Sequence, residues 1–403
     1  MKGSLSPDVF AARRERLFDL LDGIPAVLTA PPEVRRNADT HYRYRPDSSF
    51  RYFTGFTEPN AVMVFTSDRQ FRMFVRPRDA EREVWDGERF GPEGVVTHFN
   101  ADQAHTIDQL EEELKPLLAK TERLAFAPDT RSPLSRRIHA LIEDLAMHGR
   151  DDKGPTSLLR PRTFIEAIRT IKDEHDLGLH RRAAAITAGA HAAALGACKP
   201  GMYEYELEAL LQYEFLRNGA DWAYPPIVAG GANACVLHYR DNDAVLKDGS
   251  LVLIDAGAEF EGCAADVTRT FPVSGRFEGA AKEVYEVVLE VQKTCLKAAV
   301  PGCTIAELQE LAVADLTLGM KDLGLLSGDV QALIEDKSYK RYYPHGLGHF
   351  LGMDVHDLGK RVEGGEPRPL PVGTMITVEP GLYIPRHDED APAAFRGIGV
   401  RGR

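Results

Sequence analysis

The side chains in this chain that could do chemistry are acids and imidazoles, and four of them stand at the ends of apolar runs or in glycine-rich bends. Asp255 closes the run LVLIDAG and Asp266 opens ADVTRTF, both within the stretch from Leu251 to Phe271. The first run is apolar and β-rich, and the second alternates. Both read as strands joined at Glu259-Phe260-Glu261-Gly262. Folding the ribbon about Phe260-Glu261 sets Asp255 opposite Asp266. Residues directly opposed across a strand pair have Cβ atoms about 4.5–5.5 Å apart, and like charges there repel. Two carboxylates in that relation require a shared proton or an intervening cation. The plainer alternative is two separate surface aspartates on a hairpin of different register.

The segment YYPHGLGHFLGMDVHDLG (342–359) holds His345, His349 and His356, three of the 13 histidines of the chain. Glycines between His345 and His349 exclude the helical HExxH zinc arrangement. They suit a bend that brings imidazoles to a backbone-lined site; a solvated loop is the alternative. TMITVEPGLYI (374–384) ends its apolar part at Glu379, as VLIDAG ends at Asp255. Asp255, Asp266, His349 and Glu379 together offer three carboxylates and one imidazole. That donor set suits manganese, iron, cobalt or zinc better than calcium or magnesium, because of the imidazole. The aspartate pair suggests two bridged ions, about 3.5–4 Å apart in such sites.

These residues must be positioned by the rest of a 403-residue chain, long enough for two domains. Its apolar fraction of 43% and charged fraction of 27% are those of a soluble globular protein. A net charge of −12 argues against a nucleic-acid or membrane binder and accords with divalent cations. The start of the chain has no secretory leader pattern, and no apolar run approaches a membrane span. The five cysteines form no CxxC pair and suit reduced thiols in a cytoplasmic protein. Cys263 lies near the aspartates, but a thiol among carboxylates is a poor fourth ligand.

Residues 1 to about 150 mix strands and helices. SSFRYFTGF (48–56) and AVMVFTSDRQFRMFV (61–75) read as strand-like, the second with a turn at Ser67-Asp68. Helical spacing runs through 106–120 and 132–149. The polar stretch 148–163, with Gly and two prolines, reads as a linker. A long helix starts from Asp173 and stops at Pro200-Gly201, a second covers about 203–218, and PPIVAGGANACVLHY (225–239) reads as strand, glycine bend and strand. Helices at about 278–299 and 304–324 follow, the latter capped by Thr304. The order helix, helix, strands thus occurs twice.

VLIDAG, ADVTRTFPVSG, HGLGHFLGMDVHD and VEPGLYI resemble the metal-dependent pita-bread peptidases. SSFRYFTGFTEPNAVMVF, EVWDGERFG, VLHY with His238, and FRGIGVR extend the similarity over nearly the whole chain. The resemblance implies an α/β (α+β) protein. An N-terminal α/β domain (1–172), concerned with oligomerisation and substrate access, would precede a C-terminal pita-bread catalytic domain (173–403) with a curved antiparallel sheet. It implies two divalent metal ions, manganese by preference, on Asp255, Asp266, His349 and Glu379, and hydrolytic removal of an N-terminal residue preceding proline. Glu379 would relay the proton to the leaving nitrogen. His238 and His356 would hydrogen-bond substrate and intermediate, and His345, Tyr383 and Arg401 would line the proline pocket. Trp85 would close the site of a neighbouring subunit in a homo-oligomer, a dimer or tetramer.

The family pattern continues GIGVR with Ile-Glu-Asp, and that glutamate bridges both metals. Here Gly402 and Arg403 take the Ile and Glu positions. A guanidinium cannot ligate a cation and repels one. A shortened reading frame, weak metal binding and little hydrolysis are the expectation. The GxGxxG spelled by GIGVRG lacks a following helix, and no GxSxG elbow or P-loop occurs. The rival activities are an Xaa-Pro dipeptidase of the same family and a metal-poor binding relative.

Overall fold

The computed structural model describes residues 5–147 and 154–403. The chain separates into two compact units, Met1–Arg169 and Thr170–Arg403. In the first, a mixed six-stranded sheet runs in the order Gln103–Thr106, Phe71–Val75, Val62–Phe65, Ala26–Thr29, Arg123–Ala125, Ser157–Leu159. Val62–Phe65 is buried at every position, as a strand covered on both faces must be. It pairs antiparallel with Phe71–Val75 across the Ser67-Asp68 turn, as the sequence implies.

Two sequence expectations fail in this unit. SSFRYFTGF is not a strand: Ser48–Thr54 is a helix. The Asp47 side chain accepts a hydrogen bond from the Phe50 N–H (2.9 Å), and Gly55 closes the helix at φ 69°. That start and stop pair outweighs the β preference of the aromatics between them, and Phe50 and Phe53, three apart, share the buried face. The linker reading of 148–163 also fails where it can be followed. Residues 148–153 lie outside the described residues, but Ser157–Leu159 adds a parallel edge strand beside Arg123–Ala125. A three-residue strand leaves too short an apolar run to stand out from polar flanks.

The second unit has two helix pairs, each with its own core. Glu174–Ala197 opens with a reciprocal cap between Asp173 and Asp176. Its alanines Ala183, Ala190 and Ala194 are fully buried. Ala190 and Ala194 pack with Leu207 and Leu211 of Glu204–Arg217 and with Val228, Val252 and Ile254 of the sheet. The small side chains let helix and sheet approach closely. In the second pair, Gly279–Ala298 and Ile305–Asp322, the cap on Thr304 is reciprocated by Glu307. Val284, Val288, Leu308 and Leu316 pack there with Leu382, Ile384 and Val400. Each such buried side chain contributes roughly 1.5–3 kcal/mol. Ile227–Gly230, Leu251–Ala256 and Val267–Pro272 form one antiparallel sheet, and Gly381–Ile384 pairs antiparallel with Ile398–Arg401.

The second strand expected within 225–239 is absent. A 3₁₀ turn, Gly231–Cys235, follows Ile227–Gly230 instead. The Glu204 carboxylate, fully buried, explains this. It accepts from the Gly230 and Ala244 N–H groups, the Asn233 amide and the Tyr239 hydroxyl at 2.6–3.0 Å, so the loop's donors meet a side chain rather than a neighbouring strand. The β-rich run 374–384 is regular only from Gly381. No helix among the described residues is long and apolar enough to cross a membrane.

Candidate active site

The ribbon that carries Asp255 and Asp266 forms, but two residues out of the expected register. Phe260 pairs with Cys263 across Glu261-Gly262, both at positive φ (53° and 85°). Such a two-residue turn matches the right-handed twist of its strands, and the Gly262 position favours glycine. Asp255 therefore pairs with Thr268, and the same register puts Asp266 across from Gly257. The expectation that the two acids stand directly opposed is corrected. They are diagonal neighbours on one face instead. A Cβ on Gly257 would stand 1.8 Å from the Ala265 carbonyl oxygen, so the ribbon closes tightly here only because residue 257 has no side chain.

His349 and Glu379 are brought together by an irregular antiparallel pairing. The Thr377 N–H donates to the His349 carbonyl (2.9 Å), the Glu379 N–H to the Leu347 carbonyl (2.7 Å), and Phe350 bridges Ile376. With a side-chain period of two, Thr377 and Glu379 share the face that meets His349. Thr377 Oγ1 accepts from the His349 N–H (2.9 Å) and donates to Glu379 Oε1 (3.0 Å). Gly348 permits the approach, since a Cβ there would lie 1.9 Å from the Thr377 carbonyl oxygen.

The two pairings converge. His349 Nε2 lies 3.3 Å from Asp266 Oδ2 and 3.4 Å from Glu379 Oε1. The Tyr224 hydroxyl stands 2.6 Å from Asp255 Oδ1 and 2.7 Å from Asp266 Oδ1, and its single proton ties the two acids. Three buried carboxylates and an imidazole thus surround one point. His349 Nε2 and Asp266 Oδ2 are buried and lack a hydrogen-bond partner. These donor atoms are, in type, those a divalent transition metal takes.

The space among them is filled by the protein itself. The Arg403 guanidinium hydrogen-bonds Asp266 and Glu379 and reaches Asp255 Oδ1 at 3.4 Å. Arg401 pairs with the other oxygen of Asp255 and donates to Thr268 Oγ1 (3.2 Å). In this arrangement no group of three or more His, Cys, Asp or Glu among the described residues is disposed to hold a metal ion. The donors suit a metal, but the centre they surround does not admit one while Arg403 stays. Burial alone would raise the Asp266 pKa. The His349 imidazole, the Arg403 charge and the Tyr224 hydroxyl outweigh it and bring it down to about 2. Burial opposes the charge on Arg403, but Asp255, Asp266 and Glu379 hold its guanidinium firmly protonated.

Of the other expected site residues, His356 joins the cluster, its ring 4.2 Å from that of His349 and its pKa lowered by partial burial and by the neighbouring imidazole. His345 Nε2 lies 2.8 Å from the Tyr383 hydroxyl. Burial lowers the His345 pKa and lifts that of Tyr383 to about 12, so both are neutral near pH 7. Arg401 is buried and ion-paired with Asp255. His238 is exposed on the loop tied down by Glu204. Trp85, 83% exposed, lies on the helix Ala80–Asp86 of the first unit, which buries no residue. Tyr224, Thr377 and Glu204 were not foreseen. A tyrosine before two prolines, a strand threonine and a first-turn glutamate carry no signal of their own.

Comparison with known proteins agrees with this geometry. Residues 178–402 match metallopeptidase family M24, and residues 10–126 match the aminopeptidase P N-terminal domain. The chain belongs to metallopeptidase family M24. It is 40% identical to the Xaa-Pro aminopeptidase of Haemophilus influenzae over 98% of its length and 91% of that protein, and 39% identical to that of Escherichia coli with the same coverage. Its fold superposes on Pseudomonas aeruginosa aminopeptidase PepP with a TM-score of 0.95, at 41% identity, covering 99% of this chain and 91% of that one. It also superposes on zinc-substituted E. coli aminopeptidase P in complex with product, with a TM-score of 0.94 at 39% identity over 99% and 92%.

Proposed function

We propose that this chain is an Xaa-Pro aminopeptidase, removing the first residue of peptides whose second residue is proline. The observation that carries the proposal is the convergence of Asp255, Asp266, His349 and Glu379 on one point, in a chain alike over almost its full length to proteins of that name. Those four residues are the ligands for the divalent ions of the family, manganese by preference, when Arg403 is not among them. The neutral His345–Tyr383 pair presents one imidazole edge and one hydroxyl to the proline end of the substrate. His238 and His356 hydrogen-bond the peptide, and Glu379, buried beside Thr377, is the proton carrier. The first unit serves assembly of a homo-oligomer, dimer or tetramer, with Trp85 facing a neighbour. The reaction is placed in the cytoplasm.

The test is release of free Xaa from Xaa-Pro-Yaa, Xaa-Pro and Xaa-Ala-Yaa peptides by the purified chain in manganese. Cleavage of Xaa-Pro-Yaa alone, abolished by Asp266→Asn, supports the proposal. Cleavage of the dipeptide in preference to the tripeptide replaces it with a dipeptidase. Arg403 favours a second reading, a metal-poor binding relative. Retention of Xaa-Pro-Yaa peptide without cleavage under saturating manganese would establish it.

A further inference from the structure

We infer that Arg403 is the resident cation of this cluster: a tethered guanidinium that holds Asp255, Asp266 and Glu379 and binds them in competition with metal. The argument begins with charge. Asp255, Asp266 and Glu379 are each no more than 7% exposed, and three buried carboxylates that close together need positive charge among them. Arg401 meets one oxygen of Asp255 and is directed to Thr268 by its Nε. It leaves Asp266 and Glu379 unmatched. Arg403 matches both through separate nitrogens, Nη1 to Asp266 and Nη2 to Glu379, which is the use a planar fork of donors has and a point charge has not.

The backbone delivers it there. The Arg403 N–H donates to the Thr268 carbonyl (3.2 Å), and the Arg401 backbone is held on both sides of Thr270 Oγ1, its carbonyl accepting at 3.0 Å and its N–H donating at 3.2 Å. The extension of the strand Ile398–Arg401 is thereby pinned beside Val267–Pro272, the strand that follows Asp266. The match is incomplete in an informative way. The guanidinium nitrogens reach Asp266 Oδ1 and Glu379 Oε2, and leave His349 Nε2 and Asp266 Oδ2, which face each other at 3.3 Å, without a hydrogen bond from Arg403. A metal ion satisfies lone pairs from all directions. The same atoms therefore serve either cation and not both. Metal entry requires Arg403 to leave, and its departure without metal exposes three buried negative charges to one another.

This inference rests on the ligand set of the proposed peptidase, but it is read by metal binding and melting, so a failed peptide assay leaves it standing. The experiment titrates the full chain and its Arg403→Gln and Arg403→Lys variants with manganese alone, by calorimetry, and melts each in chelator and in manganese. Arg403→Gln is expected to bind manganese at least about tenfold more tightly than the unaltered chain, since a like charge at contact distance is removed. It is expected to melt lower than the unaltered chain in chelator and to recover in manganese, while the unaltered chain, which binds manganese more weakly, gains less from it. Arg403→Lys, which keeps the charge but not the fork, falls between. Folding of Arg403→Gln only in manganese also supports the inference. Equal manganese affinity of the unaltered chain and Arg403→Gln, an equal rise of both melting points in manganese, or failure of both variants to fold even with manganese would overturn it.

Discussion

Replacing Gly257 by alanine tests the ribbon that carries the two aspartates. The new Cβ would stand 1.8 Å from the Ala265 carbonyl oxygen and 2.6 Å from its carbon, where ordinary contact begins at 3.4 Å. The strands must part by the difference of 1.6 Å, against a backbone carbonyl and not a flexible side chain. Overpacking that side chains can absorb costs about 1–3 kcal/mol. Here nothing flexible yields, so the loss is at least about 3 kcal/mol, a large share of the roughly 5–15 kcal/mol that holds a domain folded. The movement also draws Asp266 from the Tyr224 hydroxyl that it shares with Asp255. Urea unfolding followed by circular dichroism measures the loss. Gly178→Ala is the control, since that helical glycine has open space around it and substitution there is neutral or stabilising by up to about 1 kcal/mol. A Gly257→Ala chain within about 1 kcal/mol of the parent would refute the tight crossing.

Three further expectations follow from buried polar groups. His180 is buried with its Nδ1 donating to the Ala264 carbonyl (3.0 Å), and burial pushes its pKa down from 6.5 to about 4. The unfolded chain therefore takes a proton below pH 6.5 that the folded chain refuses until pH 4. His180 costs no stability above pH 6.5, removes it progressively as pH falls to 4, and removes on the order of 3 kcal/mol there. His180→Gln should flatten that part of the stability profile relative to the parent, and an unchanged slope would count against it. Glu204→Ala strands four part-buried donors around a fully buried carboxylate position and should cost on the order of 2–4 kcal/mol by urea unfolding, whereas a loss below about 1 kcal/mol would show that the 230–244 loop does not depend on it. Thr377→Val removes the hydroxyl between the His349 N–H and Glu379 and should cost about 1–3 kcal/mol, with amide exchange at His349 faster; unchanged exchange would contradict the bridging role.

How much of this was legible in the sequence depended on whether a feature is local. The capped helices from Asp173 and Thr304 were readable because their caps lie three residues from their partners. The buried strand LVLIDA was readable from its unbroken apolar run. The register of the ribbon is not legible, because the turn at Glu261-Gly262 places a glutamate at positive φ, a conformation its residue type does not announce. The helix at Ser48–Thr54 was hidden by aromatics with β preference, although Asp47 and Gly55 mark its ends. At the site, His349 and Glu379 each stood out by neighbours in sequence, but their meeting depends on an irregular pairing that period-two counting does not reveal. Tyr224 and Glu204 act only through distant partners. The charge of Arg403 is legible in the sequence as unfavourable to a metal, whereas its three-way engagement with Asp255, Asp266 and Glu379 requires the fold.

The most direct measurement is an anomalous difference map from crystals of the Arg403→Gln chain soaked in manganese. Peaks bounded by Asp255, Asp266, His349 and Glu379, and missing from the Asp266→Asn derivative, are the predicted result. Manganese bound elsewhere with these four side chains untouched would contradict it.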